Sequence, residues 1–258
     1  MAITGAAYKN HEELFPNHTS QLKASDPELI EIFDNFAFDE VIAHSKLDTK
    51  RRLTLILAAV IGSQAVNEYK VMVGAALNVG VTPIEIKEIL YQSAAYVGMA
   101  RAFDFLHATN EVLTGRGHRL PLAPQSTTSA ETRYEKGRAA QKAIFGNMID
   151  DMYDKSPKDQ LHIQRFLSAN CFGDFYTRTG LDTKMRELVT LSILIAMGAD
   201  AQVKGHVRGN LNVGNDRNVL IDVITQLLPW VGYPRTLNAL NAVNDVVPDN
   251  GKGAKDDR

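Results

Sequence analysis

Leu47-Asp48-Thr49-Lys50 returns 134 residues later as Leu181-Asp182-Thr183-Lys184. In the same register Leu77-Asn78-Val79-Gly80 returns as Leu211-Asn212-Val213-Gly214, Val97-Gly98 as Val231-Gly232, and Arg101 as Arg235. From Leu47 to Glu111 the two copies align without a gap and share roughly a third of their residues, which marks a duplicated unit. Phe38 and Phe172 carry the match upstream. One tetrapeptide recurs by chance; several in a single register do not. The chain therefore reads as two tandem copies, residues 1–117 and 133–247, joined by a linker at 118–132 and followed by a polar tail at 248–258 that reads as disordered. Gly115, Gly117, Pro121, Pro124 and a Ser/Thr run between Leu113 and Ala130 give the connecting region its loop composition.

Within each copy the pattern is helical. Leu53, Ile56, Leu57, Val60 and Ile61 recur at spacings of three and four, an apolar stripe along one helix face. Gly80 stands where a helix C′ residue is wanted. Thr82-Pro83-Ile84-Glu85 then reads as an N-cap, a first-turn proline and a capping-box glutamate. Gly214-Asn215-Asp216 plays the same part in the second copy, and Gly232-Tyr233-Pro234 ends one helix and starts the next. No alternating pattern with hairpin turns appears. The expected class is all-α, with about five or six helices per copy.

The bulk numbers exclude several classes. Hydrophobic residues at 45% and charged residues at 22% fit a soluble globular protein. A net charge of −2 gives no reason to expect nucleic acid or an anionic membrane as a partner. No apolar run approaches the roughly 20 residues that span a bilayer, and Met1 to Asn10 lacks the features of a signal peptide, so the expected location is cytoplasmic. Cys171 is the single cysteine, which removes any internal disulfide or CxxC chemistry. The other histidines, at 11, 18, 44, 107, 118 and 162, show no metal-ligand spacing, so no metal is expected.

Arg133-Tyr134-Glu135-Lys136-Gly137, Gly180-Leu181-Asp182, Arg186-Glu187-Leu188, His206-Val207-Arg208 and Tyr233-Pro234 together resemble the gamma-carboxymuconolactone decarboxylases. The resemblance covers residues 133–247 and, through the repeat, residues 8–112 more weakly. It implies an all-helical fold of the alkyl hydroperoxide reductase D type, no cofactor, and rings of six domains with sites near domain interfaces. A fused pair of domains would reach that number as a homotrimer. The alkyl hydroperoxide reductase D branch carries a Glu, a CxxC pair, and a His nineteen residues after the Glu. Glu187 and His206 keep that spacing here, but Ala199 and Gln202 occupy the cysteine positions. Thiol peroxidase chemistry requires the sulfur and is not expected.

The resemblance also implies the reaction: loss of CO₂ from a small carboxylated lactone or related carbon acid. Glu187 and His206 fall on consecutive antiparallel helices, about 6 Å apart in height measured from the turn between them, so a glutamate can reach the imidazole and fix its tautomer and orientation. His206 is then the candidate general acid/base, oriented by Glu187. Arg208 and Arg186 are candidates for binding substrate carboxylates through bidentate guanidinium pairing. Trp230 and Tyr233 are candidates for an apolar wall that excludes water. Each has a plainer reading: Glu187 beside Arg186 as a charge pair near a helix start, Arg208 as a surface salt bridge, Trp230 and Tyr233 as core or interface residues.

The first copy departs from this pattern, with Leu53 and Met72 at the positions of the pair. An apolar pair cannot move protons, so that copy reads as scaffold, although Glu68 and Tyr69 leave room for a remodelled site. Cys171 aligns with Ala37 and reads as a small buried residue. The alternative for the whole chain is a non-catalytic oligomeric scaffold or small-molecule binder of the same fold.

Overall fold

A computed structural model describes residues 2–18 and 20–248. The end of the tail, 249–258, lies outside the described residues. The first copy comprises α1 (Gly5–Leu14), the short α2 (Leu22–Ser25), α3 (Pro27–Asn35), α4 (Val41–Ala43), α5 (Thr49–Gly62), α6 (Val66–Asn78), α7 (Pro83–Val97) and α8 (Met99–Gly115). The second comprises α9 (Arg133–Phe145), α10 (Met148–Asp154), α11 (Leu161–Phe166), α12 (Thr183–Met197), α13 (Asp200–Asn212), α14 (Arg217–Val231) and α15 (Tyr233–Val246). No strand occurs among the described residues. Helix α8 runs on to Gly115, through the first residues of the region from Leu113 whose composition reads as a loop. The sequence reading also passed over the shortest helices, which span too few residues to show a period.

The repeated motifs turn out to be helix boundaries. Asp48 and Asp182 are N-caps whose side chains accept from the backbone N–H of Arg51 and Met185, each at 2.8 Å. Thr82 forms the expected capping box with Glu85, and Asp216 caps α14 through the Val219 N–H. Gly98 and Gly232 separate α7 from α8 and α14 from α15 with φ of 83° and 78°, a backbone region that other residues enter at a cost.

Both copies also contain a wide π-helical stretch at matching places, Phe36–Glu40 and Leu167–Tyr176. The second needs glycine at two points. A Cβ at Gly137 of α9 would stand 1.9 Å from the Ser168 carbonyl oxygen, and one at Gly173 would stand 2.1 Å from that of Arg133. The helix and the π stretch thus touch backbone to backbone.

The two copies do not form separate cores. Helices α5 and α12 are buried along most of their length and pack on each other, and one hydrophobic cluster runs through both copies. A Cβ at Gly62, near the end of α5, would lie 2.8 Å from that of Ala196, its repeat counterpart on α12. Helix α7 of the first copy packs against α12 and the second π stretch.

Gly137→Ala is expected to destabilise the fold by about 1–3 kcal/mol or more through overpacking. Gly205 in α13 has open space around its Cβ position, so Gly205→Ala is expected to stabilise by about 0.5–1 kcal/mol. Urea unfolding of the two variants reads the contrast; equal effects would show that α9 and the π stretch are not in close contact.

Candidate active site

Helix α12 brings Arg186, Glu187 and Thr190 into the interior, each with no exposed surface. A buried polar group must find partners or cost free energy, and these three find them on different elements. The Glu187 carboxylate lies 2.9 Å from Nδ1 of His206 on α13 through Oε2, and Oε1 accepts the Tyr176 hydroxyl at 2.9 Å. The pair expected from spacing is therefore in contact. With the carboxylate ionised, Nδ1 carries the proton in that bond, and no protein group bonds Nε2 among the described residues. The His206 side chain keeps 14% of its surface, enough to reach a small molecule while its other nitrogen is held.

Tyr176, at the end of the second π stretch, also bonds Thr190 at 2.5 Å and the Tyr96 hydroxyl at 3.1 Å. Tyr96 belongs to α7 of the first copy, so the site is completed across the repeat. The rings of Tyr96 and Phe145 stand edge-on to His206, at 6.2 and 5.4 Å between centroids. Burial pushes the Tyr96 and Tyr176 hydroxyls well above the usual phenol range, so both stay protonated and serve as donors. Cys171 reaches the Tyr96 oxygen at 3.7 Å, and burial pushes its thiol up to about 12, leaving an inert side chain. Gly209, one turn beyond His206, is required by the carboxylate: a Cβ there would come within 2.6 Å of Glu187 Oε2.

The other candidates are placed differently. Arg186, expected to bind a substrate carboxylate, is instead a strut between the copies. Its guanidinium bonds Glu88 at 2.9 Å, Gln92 at 2.9 Å and the Arg178 carbonyl at 2.8 Å, while Nε has no partner. A substrate would have to displace Glu88 to reach it. Arg208 is exposed and lies two residues from His206 on the same helix, so the two side chains do not share a face. Trp230 lines a cavity of about 520 Å³ in the first copy, edge-on to Phe33 at 5.5 Å, rather than walling His206. Tyr233 is 61% exposed at the start of α15.

Leu53 and Met72, the counterparts of Glu187 and His206, are fully buried in the core. Tyr69 is buried too, with its hydroxyl 2.8 Å from that of Thr109, whereas Glu68 faces the Trp230 cavity. Among the described residues no group of three or more His, Cys, Asp or Glu side chains is arranged to hold a metal, and no helix is long and apolar enough to cross a membrane.

Sequence reasoning missed Tyr96, Gln92, Tyr176, Thr190 and Gly209. One signal was available for part of this. Arg186 has Arg52 as its counterpart in the first copy and Gln92 has Gln226 in the second, so both residue types also stand in the copy that lacks the Glu/His pair. Residues kept where the pair is absent speak for structure rather than chemistry.

The carboxymuconolactone decarboxylase family model matches residues 27–111 and 162–245, one match per copy. The chain belongs to this family. A 4-carboxymuconolactone decarboxylase of Acinetobacter baylyi is 25% identical over 122 residues, covering 47% of this chain and 91% of that protein. A nitrosuccinic acid decarboxylase of Metarhizium robertsii is 30% identical over 124 residues, covering 46% of this chain and 86% of that one. Each of these relatives matches about half of the tandem chain. A crystal structure from Burkholderia xenovorans, described as a gamma-carboxymuconolactone decarboxylase subunit, superposes with a TM-score of 0.53 at 20% identity. It covers 93% of this chain and 97% of its own, so the fold is shared along the whole length.

Tyr69, Tyr96 and Tyr176 all have hydroxyls raised by burial. The unfolded chain loses these phenol protons first, at about pH 10, so stability is fully present below that pH and falls as pH rises through it. Absorbance at 295 nm and circular dichroism should report phenolate formation and unfolding together; free titration of all eight tyrosines in a folded protein would contradict the burial.

Proposed function

We propose that the protein is a cofactor-independent decarboxylase of a small carboxylated lactone or related carbon acid, with His206 as general acid/base oriented by Glu187. The observation that carries this reading is the buried carboxylate at 2.9 Å from Nδ1, which holds the ring by one nitrogen and leaves Nε2 without a protein partner among the described residues. When the substrate's carboxylate departs as CO₂, its bonding electron pair passes into the double bond conjugated with the lactone carbonyl. The resulting carbanion takes a proton from Nε2 of His206, and water returns that proton to the ring. Glu187 stabilises the imidazolium before the transfer, and Tyr176 holds Glu187 in place through the second oxygen. The relatives' names support the reaction class, since both denote loss of CO₂ from an acid whose neighbouring group accepts electrons: a conjugated lactone in one, a nitro group in the other.

The general acid contributes about 10²- to 10⁴-fold, and oriented donors in a water-poor site add to it. Tyr96 and Phe145 serve as the apolar screen beside the imidazole. Arg208, exposed on α13, takes the role of carboxylate partner only for a substrate that reaches that face.

The test is CO₂ release from 4-carboxymuconolactone by wild type and His206→Ala. Wild-type turnover that drops by about 10²- to 10⁴-fold in the variant is the expected outcome. An inactive, correctly folded wild type would sink the substrate assignment, and equal activity in the variant would remove His206 from the chemistry.

The duplicated fold leads to a homotrimer in this proposal, six domains in one ring. Exposed apolar side chains such as Leu29, Ile32, Phe103 and Phe166 suit burial between subunits. Size exclusion with light scattering should give three times the chain mass of 28.4 kDa; a monodisperse monomer would refute the assembly.

A further inference from the structure

A cavity of about 600 Å³ lies between α7, α8 and the linker, and neither Glu187 nor His206 is among its lining residues. The linker covers it as a strap tied to the second copy. The Thr179 N–H donates to the Gln125 carbonyl at 3.0 Å, and the Thr127 hydroxyl to the Thr177 carbonyl at 2.9 Å. Three charged side chains line the cavity: Lys87, Arg178 and Glu88. Glu88 is already shared, since its carboxylate holds both Arg178 at 2.9 Å and the buried Arg186 at 2.9 Å. Among the described residues Lys87 has no acidic partner. Its ammonium bonds the Asn110 side-chain oxygen at 2.5 Å, although the residue keeps just 7% of its surface.

Counting these groups, three cations face one carboxylate. Uncompensated positive charge is costly in a protein interior, and burial accordingly lowers the Lys87 pKa. The two cations that line the cavity stand over the same aromatic ring: Lys87 Nζ lies 5.9 Å and the Arg178 guanidinium carbon 5.2 Å from the Tyr91 ring centre. The remaining wall is apolar, from Leu106 of α8 to Pro121 and Pro124 of the linker. A cavity with two cations around a flat ring and an apolar far wall matches a small organic anion with a flat or apolar body.

We propose that this cavity is a second ligand site, which binds a small carboxylic acid between Lys87 and Arg178 with its body against Tyr91. The site is independent of the chemistry assigned to His206. It nevertheless adjoins that site through hydrogen bonds, because Glu88 holds Arg186, Arg186 holds Gln92, and Gln92 donates to Thr190 at 2.8 Å beside Tyr176.

Calorimetric titration of the whole protein with benzoate, and with benzamide as its neutral counterpart, tests the assignment. Benzoate should bind about tenfold or more tightly than benzamide, as expected of charge-assisted pairing. Lys87→Met should weaken benzoate by a similar factor, Lys87→Arg should retain it, and His206→Ala should leave it unchanged. Lys87→Met breaks no ion pair and is expected to unfold no earlier than wild type. Leu106→Trp, which fills the cavity without touching its charges, should abolish binding as well. Benzoate binding no better than benzamide overturns the proposal. So does binding that survives Lys87→Met and Leu106→Trp but is lost in His206→Ala, since the acid would then occupy the other site.

Discussion

Helix α12 is buried on every face yet carries Arg186, Glu187 and Thr190 in its first two turns. Each of these polar groups must be satisfied inside the protein, where an unpaired hydrogen-bonding group costs about 1–3 kcal/mol and an unpaired charge more. That requirement draws three other elements to one place. Helix α7 supplies Glu88 and Gln92, the π stretch Tyr176, and α13 His206. Asn210 of α13 adds a bond to the Glu187 carbonyl at 3.1 Å. The fused core and the candidate site are two consequences of the same burial.

The duplication produced copies with different tasks. At the positions of Glu187, His206 and Thr190 the first copy has Leu53, Met72 and Ile56, which pack with no polar atom to satisfy. Its contribution to the second copy's site is α7, which reaches across with Gln92 and Tyr96. The counterpart of Tyr96 in the repeat is Trp230, and it reaches the other way, onto Phe33 and the cavity in the first copy. The exchange of α7 and α14 between halves explains why neither copy is a self-contained unit and why the two share one hydrophobic cluster.

Backbone contacts fix the remaining geometry. Gly137 and Gly173 let α9 lie against the second π stretch, and that stretch delivers Tyr176 to Glu187. Gly209 lets α13 come close enough for His206 to meet the same carboxylate. Three glycines with no chemistry of their own thus set the approach of the two groups that hold Glu187. Gly137 lay inside a family motif, but its reason, contact with a carbonyl, is visible only in three dimensions.

The duplication, the helical class, the capped starts of the long helices and the contact between Glu187 and His206 were legible in the sequence. These depend on local physics: an Asp, Thr or Gly acts on its own helix end, and two consecutive antiparallel helices bring side chains that differ by about 6 Å in height from their turn within reach of each other. The tertiary structure alone decided the partners of α12 outside its own hairpin. Gln92 lies 94 residues from Arg186 and Glu88 lies 98, and periodicity says which face of a helix is apolar without saying which helix it meets. For that reason Arg186 reads from sequence as a substrate clamp and folds as an internal strut. Trp230 meets Phe33 and a cavity of the first copy instead of His206, because α14 packs on that copy.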